Sequence, residues 1–343
     1  MNLRVLDQIR QTLSSKRSNL SDWLSTTPAS KQDLQLGNET EQAVLNHLDT
    51  LQEAVEKAGD GRLGLCEVCH DYVETNLMEM DYTSCVCLEH LTEDERHTLE
   101  FELEMAQTVQ LSLLPQQPPD VPALEVAAFS RPAQIIGGDY FDFFDFLDGA
   151  VGLAIADVAG HGVSASLHMA SIQTLLRSLA PGSVSPAAAL EHIHRLLVHN
   201  VRFTTFVTVF LGAFDTRSHI LTYCNAGHNP PLVVRGGENG GETSTWLWPT
   251  AAAVGLVEQG QFHSATIHLA RGDLLLLYTD GITEASNPQG EEFGRERLEA
   301  ATLSTHRLPA AELIRNLRLE VERFTGEEIQ ADDKTLLVCK IVE

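Results

Sequence analysis

The stretch IADVAGHGVSASLHMA (residues 155–170) decides the fold. It closes an apolar run beginning at Val151 on a single carboxylate, Asp157, and then passes through Gly160 and Gly162 into a helical pattern, Ser164 to Leu179. An apolar β-run that stops on Asp beside glycines sets a carboxylate at a sheet edge, where missing side chains let backbone approach closely. Taken alone, such an Asp is most simply a turn or strand cap. Its meaning depends on whether other carboxylates stand at comparable places.

Three further segments repeat the arrangement. IIGGDYFDFF sets Asp139, after Gly138, just ahead of an aromatic strand; DLLLLYTDGITEA ends a strand at Asp280; ADDKTLLVCKIV opens the last strand with Asp332 and Asp333. Carboxylates gathered at one edge repel each other unless cations neutralise them. Oxygen-only ligands select hard cations, so Mn²⁺ or Mg²⁺ is expected, and two such ions lower the pKa of a shared water for in-line attack on phosphorus. The expectation is a phosphate-ester hydrolase with no covalent intermediate. FVTVFLGAFD and ILTYCNAG add strands, and Ala187–Asn200 and Ala310–Phe324 add helices. Strands and helices arrive in groups rather than in strict alternation, which favours a layered α+β fold over a Rossmann sheet.

At 343 residues the chain predicts two or three domains, and 43% hydrophobic content leaves ample core. A formal charge of −25 excludes a nucleic-acid surface, which must present Lys and Arg to phosphates. No segment approaches the roughly 18 apolar residues of a membrane span. The first residues, MNLRVLDQIRQTLSSKR, are amphipathic and lack an apolar signal core, so a cytoplasmic location is expected. Four of six cysteines crowd into Cys66–Cys87, a pattern of metal binding rather than of disulfides.

Residues 1–60 carry two apolar stripes at helical spacing around a polar tip, a helical hairpin. Residues 61–91 form a zinc-binding module. Cys66-Glu-Val-Cys69 and Cys87-Leu-Glu-His90 supply the four thiolate and imidazole ligands of a tetrahedral, structural Zn²⁺ site, with Cys85 competing with Cys87 for one place. Residues 92–115 read as a linker helix opened by Thr92. Its Leu99, Leu103, Ala106 and Leu113 suit a coiled-coil seam through which a homodimer would form, although polar Gln110 occupies one seam position. A proline-rich connector then leads into the domain at 116–343. The segment DGRLGLCEVCHDYVETNLMEMDYTSCVCLEH, with its hairpin, resembles the DksA/TraR-type zinc finger, although the last knuckle ends in His90 where that family has Cys.

In their order, GGDYFDFF, ADVAGHGVSASLHMA, NAGHNPP, LYTDGITEA and DDKTLLV resemble the motifs of PPM-type protein serine phosphatases of the SpoIIE/RsbU class; EMAQTVQLSLLPQQPP resembles the segment before that catalytic domain. The resemblance implies a β-sandwich flanked by helices and a two-metal site. Asp157 would bridge the metals with the Val158 carbonyl assisting, and Asp139, Asp280 and Asp332 would complete the site. Asp333 ranks second, since related phosphatases often carry Asn there. His161 follows Asp157 by four positions, not the two of eukaryotic-type relatives, and is read as ordering the Gly160–Gly162 turn. His228 is read as a loop-fixing side chain. The implied substrate is phosphoserine on a STAS-domain anti-sigma-factor antagonist, with the N-terminal module regulating turnover through a partner the sequence does not identify. The competing reading makes the zinc-finger hairpin the working part, binding RNA polymerase or another protein, with a weakly active or inactive phosphatase domain behind it.

Overall fold

The computed structural model describes residues 13–14, 17–18, 21, 41–73, 85–146, 149–160, 162–198, 206–236, 242–257, 259–326, 328 and 330–342. Most of the first arm of the expected hairpin, and His161, lie outside the described residues. The chain divides into two units, Met1–Phe101 and Glu102–Glu343.

In the first unit, helix α1 (Glu41–Gly59) turns Leu51, Ala54 and Ala58 onto a small core shared with Leu63, Cys66, Val73 and Cys87. Helix α2 (Glu93–Leu113) begins in this unit and ends in the second. It starts with a capping box: Glu95 N–H donates to Thr92 Oγ1 at 3.3 Å, and Glu95 Oε2 accepts from Thr92 N–H at 2.9 Å. None of its residues is buried, and Phe101, Met105, Val109 and Leu111 are exposed. Leu99 leans on the small core of the first unit, and Leu113 on a core of the second.

The second unit is a sandwich of two five-stranded antiparallel sheets. One has the order β1 (Leu124–Arg131), β10 (Lys334–Ile341), β9 (Leu274–Tyr278), β6 (Leu232–Arg235), β7 (Thr243–Trp246); the other runs β2 (Tyr140–Asp145), β3 (Val151–Val158), β4 (Val207–Asp215), β5 (Ile220–Ala226), β8 (Ala265–His268). Helices α3 (Gly162–Leu179) and α4 (Pro186–Val198) cover the second sheet; α6 (Gly294–Thr305) and α7 (Ala310–Thr325) cover the first, after a short α5 (Asp280–Thr283). Side chains alternate across each strand. Leu153 and Ile155 of β3 therefore enter the core between the sheets, with Phe210, Leu277 and Leu337, while Ala154 and Ala156 face α3 and α4. Central strands are buried on both faces, which is why they read as unbroken apolar runs. No helix among the described residues is long and apolar enough to cross a membrane.

Candidate active site

The same alternation fixes the site. Continued by one step, the face that carries Leu153 and Ile155 receives Asp157 at the open edge of the inter-sheet core. Strand β2 pairs with β3 as Tyr140 opposite Ala156, so Asp139, one residue earlier, stands beside Asp157. In the other sheet the face of Leu275 and Leu277 continues to Thr279, and that of Leu337 runs back through Thr335 to Asp333. Both sheets thus deliver polar side chains to one edge.

Asp139 is buried, and its Oδ2 accepts hydroxyl hydrogen bonds from Thr279 (2.8 Å), just after β9, and from Thr335 (2.6 Å) of β10. Burial, then the charges of Asp157 and Asp333, raise its pKa far above the carboxylate range despite those hydroxyls. Burial also pushes Asp157 up to about 7, with Asp280, Asp332, Asp333 and Glu284 adding repulsion. Asp280 rises to about 6 through burial and through Asp332 and Glu284. Asp332 is exposed, and its Oδ1 accepts the Asp333 N–H at 2.8 Å. These carboxylates therefore feel one another across the edge, although no three of them approach as closely as the thiol group described below. With the Val158 carbonyl they would offer oxygen donors only, and a hard divalent cation would relieve the repulsion among the carboxylates.

Asp333 is engaged differently. Its Oδ1 accepts Ala133 N–H at 2.7 Å, and its Oδ2 accepts Gly138 N–H at 2.6 Å and Asp139 N–H at 3.4 Å. A Cβ on Gly137 would lie 2.1 Å from Asp333 Oδ2, and one on Gly281 would lie 2.0 Å from the Asp333 carbonyl oxygen. Glycine is required at both places for the loops bearing Asp139 and Asp280 to close on Asp333. A Cβ on Gly138 would stand 3.1 Å from the Val158 oxygen, and Gly160 and Gly162 take φ of 107° and 72° in the turn after Asp157. His228 is buried behind this edge. Its Nδ1 lies 2.9 Å from Thr208 Oγ1, which in turn is 3.4 Å from the Asp157 carbonyl oxygen, and burial lowers its pKa to about 4. A neutral imidazole there braces β4 and β5 beside Asp157.

Sequence reasoning missed Thr279 and Thr335, whose roles depend on strand pairing, and Glu284, which lies at the end of α5. It also missed Asp142, fully buried on the opposite face of β2, where Arg177 of α3 grips it through two hydrogen bonds of 2.6 and 2.7 Å. Tyr140 Oη donates to the same carboxylate.

In the first unit, Cys66, Cys69, Cys87 and His90 bring their ligand atoms within 4.8 Å of one another, with Cys87 Sγ 2.8 Å from His90 Nδ1. Cys85 stands outside this group. The backbone N–H of Cys69, helped by those of Cys87 and Val68, lowers the Cys66 thiol to about 6, while burial and the neighbouring Cys66 and Cys69 push Cys87 up to about 11.

The family model for Stage II sporulation protein E (SpoIIE) matches residues 147–342. The phosphoserine phosphatase RsbU of Bacillus subtilis (strain 168) is 30% identical over 241 residues, 70% of this chain and 70% of RsbU. Among solved structures, the SiaA-PP2C domain of Pseudomonas aeruginosa superposes with a TM-score of 0.63 at 24% identity, over 72% of this chain and 98% of that domain. The RsbU and RsbW domains of Rv1364c from Mycobacterium tuberculosis match with a TM-score of 0.56 at 30% identity, over 65% of this chain and 61% of that one. The two-sheet sandwich is the fold these solved structures share with it, and the chain belongs to the SpoIIE family of PP2C-type protein serine/threonine phosphatases.

Proposed function

We propose that the chain hydrolyses phosphoserine on a regulatory partner protein at a two-metal site, with Asp139, Asp157, Asp280 and Asp332 as side-chain ligands and the Val158 carbonyl assisting. One observation carries this reading: aspartates from both sheets meet at one edge of the inter-sheet core, where burial and mutual repulsion raise Asp139, Asp157 and Asp280 together. Mn²⁺ or Mg²⁺ bound there would neutralise the cluster and acidify a nucleophilic water. The chain itself supplies orientation. Thr279 and Thr335 aim Asp139, His228 and Thr208 brace the strand of Asp157, and Asp333 spends its carboxylate on backbone N–H groups, shaping the Gly137–Asp139 turn.

Phosphoserine as the substrate is supported by the likeness to RsbU, and a regulatory partner in a partner-switching system by the match to joined RsbU and RsbW domains; a STAS-domain protein as that partner rests on the motif resemblance alone. The thiol cluster supports a structural Zn²⁺ held by Cys66, Cys69, Cys87 and His90, leaving no open position for catalysis.

The test is phosphate release from a phosphoserine peptide by the full chain with Mn²⁺, with Zn²⁺ alone, and after chelation with metal restored. Activity is expected to return with Mn²⁺ and not with Zn²⁺. Asp157→Asn should lose more than the roughly 10–100-fold typical of outer partners of a metal site. Parent-level turnover in that variant would sink the ligand assignment.

A further inference from the structure

Gln110 stands where a coiled-coil seam would carry an apolar residue, and the structure gives it another occupation. Its Nε2–H donates to the Gly137 carbonyl at 2.6 Å, and its Oε1 accepts the Gly137 N–H at 3.1 Å. One side-chain amide thus satisfies both polar groups of one residue, as a neighbouring β-strand would. One turn earlier on the helix, Gln107 Nε2–H donates to the Ile135 carbonyl at 2.9 Å. At the C-terminus of α2 it is Gln116 that donates to a last-turn carbonyl, that of Leu111, and to Leu114 just beyond the helix, whereas the Gln110 amide turns to Gly137.

The gripped turn leads directly to Asp139. Asp333 holds Gly138 and Asp139 from the inner side, and Gln110 holds Gly137 from the outer side. Between the two lies a cavity of about 50 Å³ lined by Gln107, Gln110, Gly137, Asp139 and Asp333 among others. That space leaves the turn room to move if the outer grip is lost, and outer partners of metal ligands typically tune affinity by about 10–100-fold.

We propose that Gln110 is a positioning residue of the metal centre: its amide fixes the Gly137 peptide so that the Asp139 carboxylate stands ready for a divalent cation. The proposal rests on the metal-site reading above.

Gln110→Met keeps the length and helix propensity of the side chain and removes both hydrogen bonds. Gln110→Glu keeps the acceptor for the Gly137 N–H and sets an oxygen against the Gly137 carbonyl. In the full chain, bound Mn²⁺ is counted by the loss of its free electron-spin-resonance signal, and kcat is read at saturating Mn²⁺ with the phosphoserine peptide. Both variants should raise the Mn²⁺ Kd about 10–100-fold, while kcat at saturation and Tm stay close to the parent. Thr108→Ala, which breaks only an exposed bond to Glu104, should leave all three readings unchanged. A Met variant that binds Mn²⁺ like the parent, or loses kcat with parental Mn²⁺ affinity, overturns the proposal. Failure of both variants to fold also overturns it, because the amide would then belong to the fold and not to the metal centre. A parent chain that binds no Mn²⁺, or an Asp157→Asn variant that binds it as the parent does, removes the metal-site reading itself.

Discussion

Ionising Asp157 in the folded chain sets a negative charge in a partly buried place facing Asp280, Asp332, Asp333 and Glu284. Its folded pKa, about 7, lies above the ordinary 3.8, so the folded state holds a proton that the unfolded state has released. Stability of the metal-free protein therefore falls as pH rises from about 4 to about 7 and is level above that, by up to about 4 kcal/mol for this group. Asp157→Asn removes the charge and keeps the shape. The metal-free variant should match the parent in Tm near pH 4, exceed it progressively to pH 7, and hold a constant lead of up to roughly 8–16 °C above. Thermal melts from pH 4 to pH 8 in chelator read this directly. A constant offset at every pH would mean that the carboxylate is not under the repulsion described, and added Mn²⁺ should reverse the order of the two proteins.

Among the elements, β2 has two polar faces with separate tasks. Its inter-sheet side continues to Asp139, and its helix side carries Asp142, tied to Arg177 in the last turn of α3. The pair pins the far end of the helix that begins just after Asp157. Arg177→Met strands a fully buried carboxylate with the Tyr140 hydroxyl and the Phe143 N–H. Because the Arg177 side chain is 48% exposed, entering water replaces part of the lost partner. The cost should lie at or below the lower end of the range for breaking buried pairs, about 2–3 kcal/mol. In urea unfolding, the double variant Asp142→Leu/Arg177→Met should recover most of that loss, and additive losses would show that the two side chains act independently. Six strands were legible in the sequence: β3, β4, β5, β9 and β10 as mainly apolar runs and β2 as an aromatic one, along with helices α3, α4 and α7. Edge strands β7 and β8, each four residues with alternate positions exposed, gave no such signal. Helix α6 buries only Leu298 and Thr302 and so lacked a stripe. Asp139, Asp157 and Asp280 could be read because glycines stand near them at strand ends, and Asp332 and Asp333 because they open the last apolar strand. Gln110 and Thr335 could not, because a bond to backbone 27 residues away, or from one sheet to the other, leaves no spacing in the chain.

Across the whole molecule, each unit has a core of its own. Leu51, Ala54, Leu63 and Val73 pack around Cys66 and Cys87 in the first, and three layers of core fill the second. Among the described residues, eight make up the buried part of the first core, and two of them are proposed zinc ligands, so the order of that core should depend on the metal. The second unit has no such dependence, because its sandwich is held by extensive apolar burial between sheets and helices. Calorimetry of the full chain should then show two transitions. Cys66→Ser, which exchanges a thiolate for a weak hydroxyl ligand, should remove one zinc per chain by elemental analysis and abolish or sharply lower the first transition. The second should stay within about 2–4 °C of the parent, the shift that 1 kcal/mol produces in a domain of this size. Zinc content unchanged in Cys66→Ser would refute the ligand assignment. A parent that melts in one transition, falling as a whole in the variant, would show that the units unfold together and that the thiol cluster stabilises the phosphatase domain as well as its own.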